Sequence, residues 1–280
     1  MDKLAKLPTA RWLTAPDQLP DIESYVNAAT RSRKVPVLVA YYFPGRDCGK
    51  YSAGGAPNEA AYRDFIGQFA EALGNARTIV ILEPDALPGI SASNDQGNPC
   101  VARQEQANRY ALLKQAVNRL KQQKNTNVYI DAGNSAWITN HKQLASWLEQ
   151  SGVTDADGFS LNVSNFQTTA DTIRYGEKVA RYVRDAHFVI DTSRNGLGPY
   201  TNTQFPTHSW CNPPGRALGH YPTTKTGNRL VDAYLYIKYP GESDGQDPEP
   251  GKCANGPAAG VWWPEYALEL IERWPKDLQP

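Results

Sequence analysis

Apolar and polar positions along the chain alternate between two rhythms. Apolar runs of strand length occur at Ala10–Leu13, Val35–Phe43, Thr78–Leu82, Asn127–Asp131, Gly158–Asn162, His187–Asp191 and Ala233–Ile237. Between them, apolar residues recur at helical spacing. Tyr62, Phe65, Ile66, Phe69 and Leu73 fall on one helical face, as do Tyr110, Leu113, Val117 and Leu120. Leu144, Trp147 and Leu148 mark a third helix, and Tyr266, Leu268, Leu270 and Ile271 a terminal one. Strands alternating with helices predict an α/β fold built on a parallel sheet with right-handed crossovers. Seven strands in one repeating series fit a barrel better than an open sheet. No compositional break divides the chain, so residues 1–280 are expected to form one domain. The stretches Gly196–Gly227 and Gly241–Gly260 are rich in Gly, Pro and Asn and predict long ordered loops, which in a compact domain usually carry function.

Polar residues stand repeatedly where an apolar run ends. Tyr41 and Asp47 follow the second run, Glu83 and Asp85 the third, and Asp131 closes the fourth. Asn162 and Asn165 follow the fifth, Asp191 ends the sixth, and Lys238 closes the seventh. In a parallel barrel all of these converge on the C-terminal mouth, where active sites are built. A single carboxylate after a strand is ordinarily a turn or capping residue; the repetition along the chain is what points to a shared site.

Composition narrows the chemistry. The 29 basic and 29 acidic residues balance, and no basic stripe is visible, so nucleic acid is not an expected partner. No apolar run approaches the ~18 residues of a membrane helix, so no membrane association is expected either. His141, His187, His208 and His220 lie outside any nucleophile signature. The four cysteines Cys48, Cys100, Cys211 and Cys253 form no CxxC pair, which speaks against a zinc cluster, and no metal or other cofactor is expected. Wide, even spacing suits two disulfides in an oxidising compartment, with three connectivities open. No leader pattern opens the chain and Met1 is its only methionine, so an exported, processed segment is expected. Carboxylates therefore dominate the predicted mouth. Paired carboxylates are what glycosidic cleavage needs, one to protonate the leaving oxygen and one to activate water or attack carbon. The 15 Tyr and 7 Trp supply amphipathic rings of the kind that line wet binding surfaces.

The strings YYFPGRDCG (41–49), ILEPDALP (81–88), DAGNSAW (131–137), NVSNF (162–166), DTSRNGLGP (191–199), WCNPPGRALG (210–219) and IKYPGESDG (237–245) carry a resemblance. In order and over nearly the whole chain, they resemble glycoside hydrolase family 6, a family of endoglucanases and cellobiohydrolases. The resemblance implies a distorted, incomplete, TIM-like β/α barrel of about seven strands. It implies an inverting attack on β-1,4-glucan chains by a monomeric, secreted enzyme. Asp85 would be the general acid, and Asp47 the neighbour that holds up its pKa. Asp244 would be the base, and Tyr41 the residue that presses on the sugar at the cleavage point. Lys238, Glu242, Asp131, Asn134 and Asn165 would touch substrate, Trp12, Trp137 and Trp210 would stack on sugar rings, and Cys48–Cys100 and Cys211–Cys253 would be the disulfides. The chain departs from the pattern at Asn134, where the family usually has His, and at Tyr42, where a small polar residue is usual. Only 18 positions separate Asp244 from Trp262, and Cys48 leads through a short glycine-containing loop to the helix near Asn58. Short loops favour an open cleft and cutting within chains. The alternatives are a cellobiohydrolase and a glucan-binding protein on the same scaffold.

Overall fold

The computed structural model describes residues 6–94, 97–201, 209–246 and 253–280. Its centre is a sheet of seven parallel strands in sequence order. The strands are β1 (Arg11–Leu13), β2 (Val37–Ala40), β3 (Thr78–Leu82), β4 (Thr126–Asp131), β5 (Gly158–Leu161), β6 (Phe188–Asp191) and β7 (Val231–Leu235). Residues of β5 and β6 are buried throughout, which is why these strands read as continuous rather than alternating apolar runs. The sheet curls until its two edges nearly meet. A lone parallel bridge joins Thr9 to Tyr236, and the Trp12 indole donates to the Ile237 carbonyl at 2.8 Å. This is an incomplete β/α barrel, as expected.

Helices α1 (Ile22–Arg31), α2 (Glu59–Leu73), α3 (Gln106–Leu120), α4 (His141–Gln150), α5 (Thr169–Ala180) and α6 (Pro264–Glu272) flank the sheet. The predicted faces of α2, α3 and α4 are the buried ones. Asn58 and Asn140 cap α2 and α4 by accepting backbone N–H bonds from Ala61 and Gln143, so both helices start where the chain supplies a side-chain acceptor. In α6, Tyr266 and Leu270 are buried while Leu268 is exposed. The main core fills the space between strands and helices, and a smaller one, including Val39, Ile81, Tyr129, Val189 and Leu235, fills the barrel. Among the described residues no helix is long and apolar enough to cross a membrane.

Two strands end two or more residues from where the sequence predicts. β2 stops at Ala40 instead of running to Phe43, because the Tyr42 and Phe43 N–H groups turn to the Glu83 carboxylate at 2.9 and 3.0 Å. β7 lies two residues earlier than expected, since the ladder with β6 shifts between Phe188 and Val189 and Ile237 N–H goes to the Asp191 side chain.

Candidate active site

A cleft of about 850 Å³ opens at the C-terminal ends of the strands. Asp47, Asp85, Asp131, Glu242 and Asp244 supply its carboxylates, and Lys238 a cation. Tyr41, Trp12, Trp137 and Trp210 supply aromatic surface, and Asn134 and Asn165 amides. The catalytic and sugar-contacting residues that the resemblance implied thus all line one space.

Backbone shape aims the carboxylates. β3 ends in a turn where Glu83 and Asp85 both adopt left-handed conformations, with φ of 51° and 69°. Such values are uncommon for residues with a Cβ and persist only where surroundings hold them. Here the Asp85 N–H donates to Asp131 Oδ2 at 3.0 Å, which ties the end of β3 to the end of β4. Asp85 Oδ2 in turn accepts the Tyr41 hydroxyl at 3.0 Å. Asp47 sits in a left-handed turn, φ 55°, and accepts the Ser52 N–H at 2.6 Å. Its neighbour Cys48 is bonded to Cys100, so the loop carrying Asp47 is anchored to the chain that follows Asp85. Cys211 pairs with Cys253, the connectivity the resemblance implied.

Electrostatics separate these carboxyls. Burial, reinforced by the Asp47 charge, pushes Asp85 up to about 7, while the Tyr41 hydroxyl and Lys50 pull the other way. Burial and then the Asp85 charge push Asp131 up to about 8. Burial also raises Asp47 and Glu242. Asp244 Oδ2 accepts from the Arg194 guanidinium at 2.8 Å and from the Asn212 N–H at 3.1 Å. Lys238 Nζ lies 3.9 Å from both Asp244 Oδ1 and Glu242 Oε2.

Not every strand-end residue serves the cleft. Asp191 spends both oxygens on backbone, accepting N–H bonds from Ser164, Ser193, Ile237 and Lys238. Asn162 bonds the Asp191 carbonyl at 2.9 Å and the Gln167 N–H at 3.0 Å. Neither lines the cleft, and both stitch loop backbone instead; Glu83 behaves likewise. Sequence reasoning missed three cations, one of them Arg46, which lines the cleft over the Tyr41 ring at 4.7 Å. Lys50 lines the cleft. Arg194, fully buried, lies over the Phe166 ring at 4.4 Å and bridges Asp244 to the Ser164 carbonyl. Arg194 was visible only as the basic residue inside the string DTSRNGLGP. His208 lies outside the described residues.

Among the described residues, the rims of the cleft meet around Tyr51. A Cβ on Gly245 would lie 2.5 Å from the Tyr51 ring, so the loop after β7 touches the loop after β2 only because residue 245 is glycine. Tyr51 also packs against Trp210, with ring centroids 6.0 Å apart.

The sequence model of glycosyl hydrolases family 6 matches residues 1–274. The chain belongs to this family. Among family 6 relatives it is similar to endoglucanase A of Thermobispora bispora, 41% identical over 276 residues covering 96% of this chain. It is 39% identical over 280 residues to endoglucanase A of Cellulomonas fimi, covering 98% of this chain. The alignments cover 56% of each relative, so the chain spans about half the length of these two proteins. The endoglucanase Cel6 from Mycobacterium tuberculosis, solved with methyl-cellobiosyl-4-deoxy-4-thio-β-D-cellobioside, superposes with a TM-score of 0.87 at 39% identity. That match covers 97% of this chain and 88% of that one.

The raised carboxyls of this family 6 fold set a pH dependence of stability. Glu83, Asp85 and Asp131 sit at about 8, 7 and 8 in the folded chain against ordinary values of 4.5, 3.8 and 3.8. Between the ordinary and the raised values the folded state keeps protons that the unfolded state has released, so stability falls as pH rises through that window. Calorimetry at constant ionic strength should therefore give a Tm several degrees higher at about pH 5 than at about pH 8. A Tm that rises over this interval contradicts the protonated state of these groups.

Proposed function

We propose that the chain is a secreted, monomeric, inverting endo-β-1,4-glucanase, one catalytic domain that hydrolyses internal bonds of cellulose-type chains. The observation that carries this reading is the Asp85 carboxyl. It is held near 7 beside Asp47, at the wall of an aromatic-lined cleft. A carboxyl that keeps its proton near neutrality can give it to a glycosidic oxygen as the bond breaks. Like charge from Asp47 sustains that protonation, and the Tyr41 hydroxyl fixes which oxygen faces the scissile bond.

Inversion requires a second carboxylate far enough away to admit water, about 6.5–9.5 Å from the acid. Asp244 takes this part as base. Arg194 and Asn212 occupy its Oδ2, which leaves Oδ1 to receive the water's proton. Trp12, Trp137 and Trp210 offer faces for sugar rings, while Lys238, Glu242, Asp131, Asn134 and Asn165 offer hydrogen bonds to hydroxyls. The thio-oligosaccharide bound by the Mycobacterium tuberculosis relative supports glucan as ligand. Two disulfides support an oxidising, extracellular setting.

The 18 positions from Asp244 to Trp262 and the loop from Cys48 to Asn58 are short for a roof over the cleft, which supports cutting within chains. The Tyr51–Gly245 contact favours the other family mode, a roofed site entered from a chain end. Viscometry on soluble substituted cellulose separates the two. The expected result is a steep viscosity loss before much reducing sugar appears, and reducing sugar with little viscosity change would make the protein a cellobiohydrolase. Proton NMR of the first product from a cello-oligosaccharide should show the α anomer; an initial β anomer rules out inversion.

A further inference from the structure

The EPD motif holds two carboxyls two positions apart, yet only Asp85 lines the cleft. Glu83 is fully buried and points elsewhere. Its backbone N–H makes the last bond between β3 and β2, to the Ala40 carbonyl at 2.9 Å. Beyond that point β2 leaves the sheet. The Tyr41 N–H goes to the Leu13 carbonyl of β1 at 2.9 Å, and the next two N–H groups, of Tyr42 and Phe43, both go to Glu83 Oε2. The side chain of Glu83 thus substitutes for the missing ladder. Its carbonyl meanwhile accepts the Ala86 N–H at 3.1 Å, which closes the turn that presents Asp85. One residue therefore holds both chain segments whose side chains meet in the Tyr41–Asp85 hydrogen bond.

We propose that Glu83 is a positioning residue for the acid: it sets the distance and angle between the Tyr41 hydroxyl and Asp85 by anchoring the Tyr42–Phe43 backbone to the turn at the end of β3. Burial pushes the Glu83 carboxyl up to about 8, against the two N–H donors, the Tyr62 hydroxyl of α2 and the Arg46 charge. At neutral pH it acts mainly as a neutral carboxyl, so glutamine is its close mimic and can still accept both N–H groups. Alanine cannot. The hydrogen bond from Tyr41 lowers Asp85, so its loss raises the acid and moves the alkaline limb of activity to higher pH. Asp47, Lys50 and Asp131, the other charged groups acting on Asp85 or bonded to it, stay in place in every Glu83 variant.

The test compares kcat, KM and pH profiles on a soluble cello-oligosaccharide for Glu83→Gln, Glu83→Ala, Tyr41→Phe and the Glu83→Ala/Tyr41→Phe double variant. Glu83→Gln should keep kcat within about threefold with an unmoved alkaline limb. Glu83→Ala should lose about thirtyfold in kcat with KM nearly unchanged, and its alkaline limb should move up as in Tyr41→Phe. The double variant should be no worse than the more damaging single one, because both act on one hydrogen bond. Additive losses, an unmoved limb in Glu83→Ala, or a loss of about tenfold or more in Glu83→Gln would each overturn the proposal. The glutamine variant keeps the question decidable if Glu83→Ala fails to fold. The inference rests on Asp85 being the acid: turnover that survives Asp85→Asn overturns that assignment, whereas the Glu83 outcomes overturn only the positioning.

Discussion

Asp85→Asn is expected to lower kcat on cello-oligosaccharides by about 10³-fold or more, the scale on which a positioned general acid acts. That corresponds to about 4 kcal/mol of lost transition-state stabilisation. The asparagine amide can accept the Tyr41 hydroxyl bond that the carboxyl accepts, so the cleft should keep its shape and its affinity. Binding measured by titration should therefore change little while turnover collapses. A glucoside whose leaving group needs no proton, such as a dinitrophenolate, should lose far less. Asp47→Asn is the companion test: without a like charge nearby, Asp85 should ionise more easily and the alkaline limb should fall to lower pH. Turnover of cello-oligosaccharides unchanged in Asp85→Asn would end the assignment of Asp85 as acid.

The site was legible because parallel strands deliver their ends to one mouth, whatever the loops do afterwards. Asp85 and Asp131, predicted separately from two strand ends, are joined by a hydrogen bond. Glu83 shows where that rule overreads. Two positions apart on a strand, Glu83 and Asp85 would face the same way. Left-handed turns at both residues separate them, one into the core and one into the cleft, and such turns leave no mark on a Glu-Pro-Asp string. Helix α5 escaped prediction for a packing reason. Its buried face consists of Thr172, Tyr175, Gly176, Val179 and Ala180, which does not read as an apolar stripe. Gly176 is there because a Cβ would lie 2.4 Å from the Phe188 ring. Arg194 escaped for the opposite reason: a charged residue in a Gly/Asn-rich loop looks solvated, and its partner Asp244 lies 50 positions away.

Arg194→Met is expected to destabilise the fold by about 3–5 kcal/mol, the cost of leaving one member of a buried ion pair without its partner. Arg194 has no exposed side-chain surface and Asp244 only 6%. Methionine roughly fills the space and can still contact Phe166, so packing loss is small and the Asp244 charge, left with only Lys238 Nζ at 3.9 Å, dominates. Lysine should rescue little, because a single ammonium cannot span Asp244 Oδ2 and the Ser164 carbonyl as the guanidinium fork does. Urea unfolding monitored by tryptophan fluorescence measures the effect. Asp244→Asn alone leaves the buried cation and should also be costly. The double variant Arg194→Met/Asp244→Asn should lose clearly less than the sum of the two, since neither charge is then stranded. A loss below about 1 kcal/mol in Arg194→Met would show that the pair is solvated in the folded chain. The same ion pair ties stability to chemistry: it fixes Asp244 Oδ2 and leaves Oδ1 as the oxygen offered to water. Fold and proposed base thus depend on one contact, and Arg194→Met should impair turnover even under conditions where the variant remains fully folded.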